Sequence, residues 1–147
     1  MNYNVVNEIK LSYSRKGNAE KTVVNSYEVS EVFRAHFDSD QMDYKEHFYA
    51  LYLDQKNKVL GIKKISECGI SSTMVDVRII MQGALLCNAS AIVVCHNHPS
   101  GSLAPSSADI KMTQKMVEAA KVLDFNLLDH IILTSDSFLS FLDEGLL

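Results

Sequence analysis

Residues 94–109 read Val94-Cys95-His96-Asn97-His98-Pro99-Ser100-Gly101-Ser102-Leu103-Ala104-Pro105-Ser106-Ser107-Ala108-Asp109. An apolar run that begins at Ala91 stops abruptly at two histidines, His96 and His98. A loop punctuated by Pro99, Gly101 and Pro105 follows, and from Ser106 the pattern turns helical. The apolar run predicts a strand buried on both faces. If the chain stays extended just past its end, His96 and His98 point to the same side, as alternate residues of a strand do. Two imidazoles side by side at the end of a buried strand are a natural start for a zinc site.

Asp109 adds to this. On a helix running from Ser106 to Asp124, residues Met112, Thr113, Met116, Ala120 and Leu123 form one apolar stripe, and Asp109 lies within it. An inward carboxylate is costly unless it is paired or bound to a metal. Ser106-x-x-Asp109 also reads as a helix capping box, and the helix dipole favours Asp in a first turn without any metal. Asp109 alone leaves both readings open. Beside the His-x-His pair, the metal reading is the stronger.

The order His96-x-His98, seven residues, Ser106, two residues, Asp109 resembles the JAMM (MPN+) metalloprotease motif position for position. The surrounding words, His96-Asn97-His98-Pro99-Ser100-Gly101, Pro105-Ser106-x-Ala108-Asp109-Ile110 and Leu128-Asp129-His130-Ile131-Ile132, are similar to those of the RadC family. The similarity runs from about Tyr44 to the C-terminus. It implies one zinc ion per chain, held by His96, His98 and Asp109, with water in the fourth position. It also implies a JAMM/MPN-like three-layer α/β domain, a mixed central sheet flanked by helices, on a plan similar to that of cytidine deaminases.

The rest of the chain sets bounds. One hundred and forty-seven residues suit a single domain with a proper core. A hydrophobic content of 47% against 22% charged residues is that of an ordinary globular protein. No apolar run approaches the ~18 residues of a membrane span, and Met1 to Leu11 lacks the regions of a signal peptide. The three cysteines, Cys68, Cys87 and Cys95, are odd in number and form no C-x-x-C. They read as reduced core residues of a cytoplasmic protein. A net charge of −4 gives no global attraction to nucleic acid.

Val5 to Ser14 and Thr22 to Asn25 predict a small hairpin, and a short helix capped by Asn25 or Ser26 follows over Tyr27 to Phe37. His36 reads as a packing or helix-surface residue. Residues 1–43 form an appendage, and residues 44–147 the hydrolase domain. RadC resemblance implies a helix-hairpin-helix region ahead of that domain. No Gly-x-Gly hairpin of that sort occurs here, so direct DNA binding is not expected of this chain.

Glu46 to Asp54 is apolar on both faces and predicts a central strand, with Val59 to Ile65 pairing back on it. Lys56, Lys58, Lys63 and Lys64 on this hairpin read as a solvated, protected edge rather than a phosphate-binding patch. A zinc hydrolase needs a base to move a proton from water to the leaving group. JAMM proteins take it from a glutamate on an early strand, and by resemblance that is Glu46. The residues alone leave Glu67 as a rival, and either could be a surface carboxylate at a strand end.

A helix over Met74 to Asn88 is expected, opened by a Ser71–Thr73 cap or a Thr73-x-x-Asp76 box. It is apolar nearly all round, which predicts cover on both sides and a homo-oligomer. Asn126 to Leu133 and Ser137 to Leu142 predict paired strands. His130 among them is by default a packed histidine, with lining of the cleft as the alternative. This element order indicates an α/β layered domain with a mixed sheet.

The expected function is zinc-dependent hydrolysis of an amide in a peptide or protein substrate, peptidase or isopeptidase in type. Glu46 serves as general base and Ser106 as oxyanion stabiliser or, alternatively, helix cap. A non-catalytic zinc module associated with DNA repair is the competing class. A zinc nucleobase deaminase is excluded, because it needs His-x-Glu and Pro-Cys-x-x-Cys, and neither is present.

Overall fold

A computed structural model describes residues 6–16, 20–67 and 75–147. Its elements are α1 (Ser26–Arg34), β1 (His47–Leu53), β2 (Val59–Glu67), α2 (Val77–Leu86), β3 (Ala91–Asn97), α3 (Ser107–Val122), β4 (Asn126–Leu133) and β5 (Phe138–Ser140). The strands form one mixed sheet in the order β2-β1-β3-β4-β5. β3 lies at its centre, antiparallel to β1 and parallel to β4. A parallel pair needs a long crossover, and α3 supplies it.

Strand alternation builds two cores. Phe48, Ala50 and Tyr52 of β1 and Ile92 and Val94 of β3 face α2 and α3, where Ile80, Ala84, Met116 and Ala120 meet them. The intervening residues, Tyr49, Leu51 and Leu53 of β1 with Ala91, Val93 and Cys95 of β3, meet Val29 and Phe33 of α1 on the other face. The result is three layers, with α1 below the sheet and α2 and α3 above it. Because both faces are covered, β1 and β3 are buried at every residue, as their unbroken apolar runs predict.

α1 starts where Asn25 accepts the Glu28 N–H at 2.8 Å, the N-cap read from the sequence. α2 is shorter than expected, and Asp76 caps it by accepting the Arg78 N–H at 2.9 Å. The Ser71–Thr73 cap and Cys68 lie outside the described residues. α2 approaches β1 closely at Gly83, where a Cβ would stand 2.2 Å from the Tyr52 hydroxyl. That hydroxyl donates to Ile80 O at 3.0 Å.

Among the described residues the expected N-terminal hairpin does not form. The described part of its first arm has no strand, and Val6, Ile9 and Leu11 stay exposed. Thr22 of the second arm makes a single antiparallel bridge with Lys58, beside the β1–β2 turn. An isolated hairpin with no face to bury is marginal in water, and among the described residues no sheet edge or core takes up these side chains. On the β1–β2 hairpin itself, Lys58 pairs with Glu20 and Lys64 with Glu67. No described helix is long and apolar enough to cross a membrane.

Candidate metal centre

β3 carries His96 to the edge of the core, where the ring is 1% exposed. His98 follows the strand, and its N–H donates to Leu133 O at 2.9 Å. This bond keeps the chain alongside β4 for one more residue, which is why both imidazoles project to the α3 side. The loop then turns at Gly101, whose φ of +78° suits glycine and whose N–H donates to His98 O. The turn brings Ser102 O to His98 Nδ1 at 2.7 Å.

α3 opens with a full capping box. Ser106 Oγ accepts the Asp109 N–H at 3.0 Å, and Asp109 Oδ2 accepts the Ser106 N–H at 2.7 Å. The same carboxylate reaches the histidines, with Oδ1 3.3 Å from His96 Nε2 and Oδ2 3.5 Å from His98 Nε2. The two Nε2 atoms are 2.9 Å apart. One donor atom from each of the three residues lies within 4.8 Å of the others, so the group could hold a metal ion. The capping carboxylate and the carboxylate of the candidate metal group, opposed as readings of the sequence, are one buried side chain.

The donor chemistry fits a cation. A carbonyl only accepts, so His98 Nδ1 carries the hydrogen that it gives Ser102 O. The neutral ring then has a bare Nε2, and it faces a second imidazole nitrogen and a carboxylate. Only a proton or a metal ion between them relieves that convergence. The Asp109 hydrogen bond raises the His98 pKa against the opposing effect of burial, with Ser102 O and the charge of Glu46 adding to the rise. For Asp109, burial works against the charged form, but the His96 and His98 imidazoles beside it outweigh that and hold the carboxyl well below its ordinary range.

Glu46 sits one residue ahead of β1, half-buried. The β1–β3 pairing ends at Phe48↔His96, so Glu46 lies two residues beyond it, at the same end of the sheet as His98. The effect of its charge on His98 agrees with that placement. Glu67 is placed elsewhere, opposite His47 and tied to Lys64 at 2.7 Å and Lys45 at 3.3 Å. Those lysines lower its pKa to about 2, too low for a base at neutral pH. Ser106 is exposed at the mouth of the site. His36 is a surface residue at the end of α1, its Nδ1 donating to Val32 O.

Two features of the site escape the sequence reading. Asn97, between the two histidines, points the opposite way and is fully buried. Its Oδ1 accepts the His47 N–H at 2.7 Å, and its Nδ2 donates to Met42 O at 2.7 Å and Lys45 O at 3.0 Å. It thereby holds the peptide groups on either side of Glu46. A polar residue at an inward position of a buried strand is the signal for such a clamp. The second is Thr113, whose hydroxyl bonds His130 Nδ1 at 2.7 Å, while His130 Nε2 meets His96 Nδ1 at 2.8 Å. His130 is thus both packed and joined to the site. Burial pushes its pKa well below the ordinary value, with the neighbouring His96 adding to the fall, so the ring is neutral.

A family model described as a RadC-like JAB domain matches residues 23–146. A UPF0758 protein of Porphyromonas gingivalis is 45% identical over 104 residues, covering 70% of this chain and 46% of that protein. One from Flavobacterium johnsoniae is 44% identical over 101 residues, 69% of this chain and 44% of that protein. One from Geotalea uraniireducens is 41% identical over 119 residues, 80% and 52% of the two chains. The chain therefore spans about half the length of the curated relatives it matches. The family match takes in every helix and strand from α1 to β5, a relationship of the whole domain, and the chain belongs to the RadC-like JAB domain family.

Proposed function

We propose that this domain is a zinc-dependent hydrolase of amide bonds, in peptides or as isopeptides, with Glu46 as the proton-transferring base and Ser106 as the oxyanion donor. The observation that carries the reading is the convergence of three donor groups on one buried point, with His96 Nε2 2.9 Å from His98 Nε2 and the Asp109 carboxylate oxygens 3.3 and 3.5 Å from the two nitrogens. Two imidazoles and one carboxylate are a donor set of catalytic zinc sites, which keep one position open. When bound, zinc supplies Lewis acidity, which acidifies water towards a pKa of ~7 and polarises a carbonyl.

The residues of the chain do the rest. Glu46, at the same end of the sheet as His98 and close enough for its charge to act on that ring, takes the proton of the attacking water and returns it to the leaving nitrogen. Asn97 fixes the backbone on both sides of Glu46, so the carboxylate is held rather than searching. Ser106 uses its oxygen to cap α3 and keeps its hydroxyl hydrogen for the developing oxyanion. Such a donor is worth about 3 kcal/mol in comparable sites.

The test is metal content per chain by plasma mass spectrometry, for wild type and Asp109→Ala purified without chelator. Near one zinc per wild-type chain, lost in the variant, is expected. Glu46→Gln should then keep the zinc and lose turnover on a peptide or isopeptide panel. Equal zinc in wild type and Asp109→Ala would return Asp109 to capping alone and remove the reading.

A further inference from the structure

Four polar groups at the site form a closed circuit that begins and ends on Asp109. The Thr113 hydroxyl donates to Asp109 O at 2.7 Å. Thr113 Oγ1 lies 2.7 Å from His130 Nδ1, and His130 Nε2 lies 2.8 Å from His96 Nδ1. His96 Nε2 then faces Asp109 Oδ1 at 3.3 Å. Thr113, His130 and His96 are each at most 2% exposed, so water does not substitute for a missing partner. His130 is also held in its plane, stacked on Phe141 at 4.5 Å between centroids and edge-on to Phe48 at 5.8 Å.

The direction of the hydrogens in this circuit follows from its first member. A carbonyl oxygen cannot donate, so the single Thr113 hydrogen goes to Asp109 O. Thr113 Oγ1 must then accept, which places a hydrogen on His130 Nδ1. A neutral imidazole has one donor and one acceptor, so His130 Nε2 is bare and accepts from His96 Nδ1. His96, protonated at Nδ1, turns an unprotonated Nε2 towards Asp109 and His98. The reverse polarity would put the hydrogen on His96 Nε2 and close that atom to a metal.

We propose that His130 and Thr113 are positioning residues that lock His96 in its Nε2-ligating tautomer, the part that Ser102 O plays for His98. The proposal rests on the metal-site reading above. A ligating histidine whose second nitrogen donates to a fixed acceptor is both oriented and made more basic, and losing such an acceptor typically lowers metal affinity about 10–100-fold. His130→Phe keeps an aromatic ring between Phe48 and Phe141 but removes the acceptor. Thr113→Val keeps the shape of the threonine but frees His130 to adopt either tautomer.

The test has two readouts on the full chain. Long-range proton–nitrogen NMR on the metal-free protein, above the pH at which its histidines are charged, should show His96 and His130 both protonated at Nδ1. Finding His96 protonated at Nε2 overturns the proposal. Zinc affinity by chelator competition should fall about 10–100-fold in both variants. His130→Gln, whose amide oxygen can accept from His96 Nδ1, should recover part of that loss. Thermal unfolding of each metal-free variant separates a loss of fold from a loss of affinity. Wild type that takes up no zinc would overturn the metal reading beneath the proposal. Zinc bound equally by wild type, His130→Phe and Thr113→Val would overturn the proposal alone.

Discussion

Replacing Asn97 by aspartate changes one atom pair and no shape, so it isolates the clamp on Glu46. The Oδ1 acceptor for the His47 N–H survives. The NH2 group that serves Met42 O and Lys45 O becomes an oxygen, and two carbonyls then face an acceptor at 2.7 and 3.0 Å. Each buried carbonyl deprived of its donor costs about 1–3 kcal/mol, and the new carboxylate is fully buried among peptide groups. The expected loss at neutral pH is roughly 3–5 kcal/mol. Protonation turns that oxygen back into a donor, so the folded state raises the pKa of the introduced carboxyl. A raised carboxyl pKa contributes stability that is fully present below the unfolded value of about 4 and is lost as pH rises through the folded value. The deficit against wild type should therefore be smallest in acid and grow towards neutral pH. Urea unfolding of both proteins across that range measures it. A deficit that does not change with pH would refute the clamp, since mere disturbance of packing carries no proton.

Gly83→Ala should lower stability, although alanine favours helix over glycine by about 1 kcal/mol. The added methyl would lie 2.2 Å from the Tyr52 hydroxyl and displace it from Ile80 O. Overpacking of about 1–3 kcal/mol and a broken buried hydrogen bond leave a net loss of roughly 2 kcal/mol, a fall in melting temperature of about 4–8 °C. An unchanged or higher melting temperature would show that α2 moves away from β1 freely. Zinc affinity should also depend on pH. The His98 pKa is raised in the metal-free fold, so its proton stabilises that fold fully below about 6.5, and the effect is lost as pH rises through the folded value. Zinc must displace this proton. Affinity should then climb by up to about tenfold per pH unit through that window and flatten above it. A pH-independent affinity would mean that His98 is not a ligand.

The strands are legible in the sequence because burial on both faces leaves a plain mark. The runs 47–53 and 91–97 are filled by the side chains that two helical layers require. The candidate ligands are legible for a related reason, since His96 and Asp109 break apolar patterns at inward positions where an unpartnered polar group is costly, and His98 repeats the parity of His96. The first hairpin misleads because alternation in Val5 to Ser14 records a propensity, while a strand also needs a neighbour to bond. His130 stays between two readings because a buried histidine in a strand looks the same whether its nitrogens meet a threonine or a ligand. The partners at 2.7 and 2.8 Å lie 17 and 34 residues away in the chain, and local pattern does not carry such distances. Asn97 is hidden for the same reason, its three partners lying 50 to 55 residues upstream.

The opposite facing of Asn97 and the histidines has a consequence for how insertions act on this protein. His96 belongs to the upper layer with α3, and Asn97 to the lower layer with α1. One residue added or removed within β3 would exchange them, sending an amide towards Asp109 and an imidazole into the cavity that holds the Glu46 backbone. Two added residues would restore the faces but carry the histidines past Phe48 and Leu133, out of reach of His130. The strand thus works as a frame-sensitive ruler. Length can vary between Leu103 and Pro105, past the Ser102 carbonyl that holds His98, with only the loop to adjust, whereas in β3 no small change of length leaves the candidate ligands and the clamp both in place.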